Sequence, residues 1–120
     1  MKFSPYAWSK ADMVGGDVAL DFVNTASAWA SGDPVDRLGG VDGLADWAVV
    51  AGVVDQAAGA SIKARFLSDP EAAEAVFAEA ASLRELLWRL FEAAGHGRRV
   101  ESEDLRRLRS WTSRARDAQE

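Results

Sequence analysis

The stretch Asp69–Gly95, DPEAAEAVFAEAASLRELLWRLFEAAG, decides the fold. Its apolar residues recur at alternating steps of three and four, the period of an amphipathic α-helix. Asp69 supplies a capping carboxylate, Pro70 suits the first helical position, and Gly95 is a typical helix stop. The sequence therefore predicts a helix from Pro70 to Ala94 that forms the spine of a domain core. Its apolar face comprises Ala73, Val76, Ala80, Leu83, Leu87, Leu90 and Ala94, broadened by Phe77, Leu86, Trp88 and Phe91.

Outward from this helix, the chain reads as further short helices joined by turns. It has 120 residues, 48% of them hydrophobic and 28% charged, which is enough for a single core. We therefore expect one domain over residues 1–120. Strands are indicated only weakly, in the irregular N-terminal arm and at Val35–Leu38. The other predicted helices are Val18–Ala26 with Asp17 as N-cap, Asp42–Ala51 ending at Gly52, Ala57–Leu67, and a last helix from Ser102 to about Arg116.

Several classes of function are excluded by composition. Cysteine is absent and there is one histidine, so disulfides, thiolate catalysis, cysteine zinc sites and multi-histidine metal sites are excluded within this chain. No phosphate loop, nucleophile elbow or zinc-protease motif occurs, so we expect no enzyme and no cofactor. The longest apolar run, Trp47–Val54, is too short to span a membrane, and the N-terminus lacks a secretory signal. We expect a cytoplasmic protein.

Charge is distributed unevenly along the chain. The net charge of −5 opposes non-specific binding to nucleic acid or to anionic membranes. Half of the 14 lysines and arginines lie in residues 98–120. This basic end is either a solvated helix face or a lead-in to a nucleic-acid-binding segment that the chain lacks.

Asp21 and Arg84 are the first candidates for a ligand site. Asp21, Asn24 and Thr25 would share one helix face beside apolar residues, either as the edge of a ligand pocket or as local caps. Arg84 has apolar helical neighbours, so its guanidinium must reach solvent, pair with a carboxylate or meet an anionic ligand. Asp21 is a candidate partner, and a structural pair and a ligand contact both stay open.

Arg37 and Trp47 complete the candidate ligand site. Arg37 lies in a loop or short strand between turn clusters, where binding residues are common, although it could equally be inert. Trp47 could supply a flat wall to a pocket or belong to the core.

The segment Gly15–Thr25, GGDVALDFVNT, resembles the opening of the ABATE domain of bacterial CGNR zinc-finger proteins, which are described as stress-induced transcription regulators. The family pattern A-L-D-F-V-N-T matches without a break from Ala19 to Thr25. Looser similarities follow at Arg37-Leu38, at Leu44–Gly52, at Leu83-Arg84 and at Asp104-Leu105. The resemblance covers roughly residues 13–112.

This resemblance implies an α+β, mostly helical domain with a small sheet. Family members usually continue into a C-terminal zinc finger bearing cysteines and a C-G-N-R motif. This chain stops at Glu120 without cysteine, so we expect zinc, and contact with DNA, only through a finger absent from this chain. The remaining part resembles the regulatory half of such a protein.

Three functional hypotheses follow. The first is a sensor domain that binds a small anionic metabolite through Asp21, Asn24, Arg37, Trp47 and Arg84. The second is a homodimerisation or protein-interaction module that uses the apolar face of the long helix or the last helix. The third is a small hydrolase or lyase with Asp21 as base, which lacks a second catalytic group. The resemblance to the ABATE domain favours the first, as the sensor domain of a transcription regulator.

Overall fold

In the computed structural model, residues 2–3, 6–12, 17–27, 29–97, 102–104 and 106–110 are described. The fold is mainly helical, with three two-residue strands that form one small sheet. The predicted α+β class, with a small sheet from the N-terminal arm and the Val35–Leu38 region, is confirmed. The elements are β1 (Lys2–Phe3), α1 (Val18–Val23), β2 (Ala26–Ser27), β3 (Val35–Asp36), α2 (Val41–Val50), α3 (Gln56–Leu67) and α4 (Pro70–Gly95).

Aspartate side chains begin three of the helices. Asp17 accepts a hydrogen bond from the Ala19 amide at 2.8 Å at the start of α1. Asp55 accepts one from Ala58 at 2.7 Å at the start of α3. Asp69 accepts one from Ala72 at 3.1 Å at the start of α4. Each bond satisfies an amide that has no partner inside its own helix, and such caps are typically worth about 1 kcal/mol.

The helix boundaries depart from prediction where tertiary pairing intervenes. We predicted the first helix to reach Ala26, but α1 ends at Val23 because Ala26–Ser27 pairs instead with β3 as an antiparallel strand. The long helix runs from Pro70 to Gly95, close to the predicted bounds. Gly52 follows α2 with a φ of 79°, the left-handed conformation expected of a glycine stop.

The last predicted helix is only partly described. Residues 102–104 and 106–110 are helical, and the rest of the predicted span to Arg116 lies outside the described residues, as does Gly15-Gly16. None of the helices in the described part of the chain is both long and apolar enough to cross a membrane.

The sheet ties the N-terminal arm to the middle of the chain. β3 is the central strand, parallel to β1 and antiparallel to β2. Lys2 pairs with Val35 and Phe3 with Asp36 on one side of β3, while Ala26 pairs with Asp36 on the other. This pairing fixes where the arm lies in the fold.

The chain divides into two compact units, residues 1–80 and residues 81–120. That residues 1–120 form one domain therefore stays a prediction. The core of the first unit centres on Phe22 and Trp47, whose ring centroids lie 5.2 Å apart. Burying one such side chain contributes roughly 1.5–3 kcal/mol. The other buried apolar residues of this unit are Val23, Ala26, Leu38, Val41 and Ala45.

Helices α2 and α3 pack closely against each other. Gly59 of α3 is buried, and a Cβ atom there would meet the Val49 side chain of α2 at 2.5 Å. The surface ion pair of Asp46 and Lys63 also joins these helices, and it raises the pKa of Lys63 chiefly through their hydrogen bond. Both side chains of that pair are about half exposed, so close packing holds the two helices together more than charge does.

The second unit buries charged groups among its described residues. Arg84 and Leu86 of α4 are fully buried, and Asp104 is 6% exposed. Arg89 donates two hydrogen bonds to Asp104, at 2.8 Å and 3.3 Å, and another to Glu85 at 3.1 Å. Hydrogen bonding from Arg89 is the main cause that lowers the pKa of Asp104, so this carboxylate stays charged.

Candidate functional site

A cavity of about 530 Å³ lies in the first unit, at the junction of the sheet with α2. It is bounded by the loop between β3 and α2, the first turn of α2, the end of α3 and the start of α4. The side chains that give it chemical character are Phe3, Tyr6, Arg37, Asp42, Phe66 and Leu67.

The β3–α2 loop holds Arg37 through its backbone. The Arg37 amide donates to the Thr25 carbonyl at 3.0 Å, which extends the pairing of β2 with β3. The side chain of buried Asp36 accepts the Leu38 amide at 2.9 Å and closes a turn around Arg37. These bonds fix the backbone on both sides of Arg37, a half-buried residue that lines the cavity.

Glycines let this loop approach its neighbours closely. Gly39 has a φ of 73°, and a Cβ atom there would collide with the Phe3 ring. A Cβ atom on Gly43 would collide with the Leu38 carbonyl, which is backbone and cannot swing aside. The close approach of the chain at this part of the cavity lining therefore requires glycine at both positions.

Tyr6 links the arm to Arg37. The Arg37 guanidinium lies 5.5 Å from the centre of the Tyr6 ring, a cation–π distance. The Tyr6 hydroxyl donates to Asp12, whose other oxygen accepts the Ser9 amide at 2.9 Å. The Tyr6–Asp12 bond is the main cause that raises the pKa of Tyr6 and lowers that of Asp12. Tyr6 is therefore neutral and Asp12 ionised near neutral pH.

The predicted site residues of the first unit are not all gathered at this cavity. Arg37 lines it, whereas Asp21, Asn24 and Trp47 are not among the described residues that do. Asn24 is the exposed C-cap residue of α1, and Asp21 is half-buried on that helix. Trp47 is 5% exposed and packs on Phe22. Its indole therefore belongs to the core.

Thr25 and Arg84 are both fully buried. The Thr25 hydroxyl donates to the Phe22 carbonyl at 2.6 Å, which is the local capping role that we considered as the alternative to ligand binding. Arg84 belongs to the second unit and is not left without an interaction partner. The pairing of Arg84 with Asp21 and the contact of Arg84 with a ligand both stay predictions.

Sequence reasoning missed most of the cavity wall. Phe3 and Tyr6 come from an arm without periodicity, and Phe66 and Leu67 end a helix of weak amphipathicity. One local signal existed, since the segment Arg37–Gly43 places three glycines around a helix start. That pattern indicates close backbone approach but not which aromatic side chains would surround it.

In the described part of the chain, no group of three or more His, Cys, Asp or Glu residues is placed to hold a metal ion. What the cavity offers is a guanidinium, a carboxylate and three aromatic rings. These groups suit non-covalent binding of a small molecule.

Comparison with known proteins agrees with the resemblance found in the sequence. The family model ABATE, described as "Putative stress-induced transcription regulator", matches residues 16–120. No curated protein and no solved structure matches the chain.

Proposed function

The chain belongs to the ABATE family, and on that premise we propose that it is the ligand-sensing, regulatory domain of a stress-response transcription regulator, binding a small anionic metabolite. The observation that carries this proposal is the cavity of about 530 Å³ with the Arg37 guanidinium in its wall. This volume falls within the usual range of small-molecule sites.

Apolar side chains supply the favourable free energy of binding in this proposal. Phe3 is 52% exposed, Tyr6 45% and Leu67 82%, so a ligand in the cavity would cover apolar surface that is otherwise open to water. Burial of apolar area contributes roughly 25 cal/mol per Å², less the cost of immobilising the ligand.

Arg37 supplies the selectivity for an anion. A guanidinium presents planar donors that match a carboxylate or a phosphate with two parallel hydrogen bonds. Arg37 is half-buried and stacked near Tyr6, so part of its conformational freedom is lost before any ligand binds. Prior ordering of this kind reduces the entropic cost of binding.

The experiment is a thermal-shift screen of small anions against three proteins. A bound anion at 100 times its Kd should stabilise the wild type by about 2.7 kcal/mol and raise its Tm accordingly. Arg37→Gln should lose this rise. Arg106→Gln should keep it, because the Arg106 side chain is 76% exposed and Arg106 does not line the cavity.

Two results would contradict the proposal. One is that no anion in the screen raises the Tm of the wild type. The other is a rise that persists unchanged in Arg37→Gln, which would place the anion elsewhere on the protein.

Homodimerisation is a second candidate, favoured by exposed apolar side chains on α4. Val76 is 40% exposed and Phe91 is 37% exposed. Sedimentation equilibrium over a wide concentration range tests it, with Val76→Glu and Phe91→Glu as variants. Dimers that weaken in either variant would support it, whereas a monomer at every concentration would exclude it.

A further inference from the structure

The charges at the cavity are nearly balanced. Among the described lining residues, Arg37 and Asp42 are the only charged ones, and they carry opposite signs. Outside the lining, Asp12 accepts the Tyr6 hydroxyl, and the Tyr6 ring in turn lies 5.5 Å from the Arg37 guanidinium. Among the described residues that line the cavity, one cation thus faces one carboxylate, and further charges of both signs lie outside the lining.

This balance discriminates between kinds of anion. A phosphate monoester carries between one and two negative charges at pH 7. It would satisfy Arg37 but would face repulsion from Asp42, the carboxylate that lines the cavity. A carboxylate carries one charge, and its planar shape matches the guanidinium with two hydrogen bonds.

The cavity walls indicate what the rest of the ligand is. Phe3, Tyr6 and Phe66 contribute three aromatic rings to the lining, and Leu67 leaves most of its side chain exposed. Aromatic pairs gain stabilisation beyond the area that they bury when rings meet edge-to-face or offset. A ring-bearing ligand would use this surface better than a polar one.

We propose that the cavity selects a monocarboxylate with an aromatic body and discriminates against phosphorylated ligands. This inference rests on the proposed function, since it names the class of anion that the same cavity binds. It depends on the charges of Arg37 and Asp42 and on the aromatic lining.

The test is calorimetric titration with three probes that share a phenyl ring: 3-phenylpropionate, 2-phenylethyl phosphate and 2-phenylethanol. Wild type should bind 3-phenylpropionate at least about tenfold more tightly than 2-phenylethanol, because a charge-assisted hydrogen bond contributes that much or more. It should also bind 3-phenylpropionate about tenfold more tightly than 2-phenylethyl phosphate, because the more highly charged phosphate is repelled more strongly by Asp42. Arg37→Gln should remove this preference over the alcohol, and Arg106→Gln should retain it.

A matched pair of aspartate variants tests the discrimination against phosphate. Asp42→Asn should tighten binding of 2-phenylethyl phosphate about tenfold while changing 3-phenylpropionate less, since repulsion grows with ligand charge. Asp33→Asn, an exposed aspartate that does not line the cavity, should change neither.

The outcomes separate this inference from the proposed function. Tighter binding of 2-phenylethyl phosphate than of 3-phenylpropionate, lost in Arg37→Gln, would overturn the inference and support an anion sensor of another class. Equal binding of 2-phenylethanol would overturn the role of charge. If none of the three probes binds while another anion in the thermal-shift screen does, the inference alone fails. If no anion binds at all, both fail.

Discussion

The first unit buries mainly apolar side chains, whereas the second buries charged ones among its described residues. Around Phe22 and Trp47, residues 1–80 form a core whose stabilisation comes from removing apolar area from water. In residues 81–120, Arg84 and Asp104 are buried together with Leu86. The difference teaches that an arginine is placed differently in the two units. Arg37 is half-buried and lines a cavity, whereas Arg84 is fully buried.

Replacing Arg84 should have the largest effect and tests this contrast directly. Arg84→Ala should lower the free energy of unfolding by about 3–5 kcal/mol, because groups that interact with a buried charge are left uncompensated. Urea denaturation measures the change. Arg106→Ala, whose side chain is 76% exposed, is the control and should lie within about 0.5 kcal/mol of wild type.

If Arg84→Ala changes the free energy of unfolding only slightly, the proposed contrast between a structural arginine in the second unit and an accessible one in the first is wrong. If the variant stays folded and loses anion binding, Arg84 would have the ligand-binding role that the sequence suggested. If it unfolds at room temperature, its role is structural.

Two helical glycines, Gly43 in the first unit and Gly95 in the second, compare how closely other atoms pack against the helix backbone. Alanine normally favours a helix over glycine by up to about 1 kcal/mol. Gly43→Ala should instead destabilise the protein by about 1–3 kcal/mol, because its Cβ would collide with the Leu38 carbonyl at the cavity lining. Gly95→Ala meets no described atom within 4 Å and should be neutral or slightly stabilising. Equal effects in urea denaturation would show that the loop before α2 can relax.

The smallest expected effect concerns Asp104. Because hydrogen bonding from Arg89 lowers the pKa of this carboxyl in the folded protein, its contribution is fully present above the ordinary pKa of about 3.9. It is lost as the pH falls through the lower folded value. Asp104→Asn should therefore cost about 1–2 kcal/mol at pH 7, since Arg89 is partly exposed.

The pH dependence distinguishes this charge effect from simple packing. The difference between wild type and Asp104→Asn should shrink as the pH is lowered toward 3 and below, as followed by thermal unfolding. Glu103→Gln, whose side chain is 69% exposed, should show no such trend. A difference that is constant with pH would assign Asp104 a role independent of its charge.

Local signals in the sequence determined much of the secondary structure. Asp17, Asp69-Pro70 and Gly52 mark helix ends correctly because a cap or a glycine stop acts through hydrogen bonds within a few residues. The repeat of apolar residues along the long helix is also a local signal, and it predicted the end of α4 to within one residue. The seven residues Ala19–Thr25 were enough to indicate the family.

Only the tertiary structure decided the sheet and the candidate site. The two residues of β2 have no strand signal of their own and become a strand by pairing with β3. Tyr6 meets Arg37 across 31 positions of chain, and no local pattern encodes such a contact. Burial of Arg84 likewise depends on what packs around it, while the sequence shows only that it lies among apolar helical neighbours. Helix caps and hydrophobic periodicity depend on residues a few positions apart in the chain. A binding cavity forms only where segments that are distant in sequence meet.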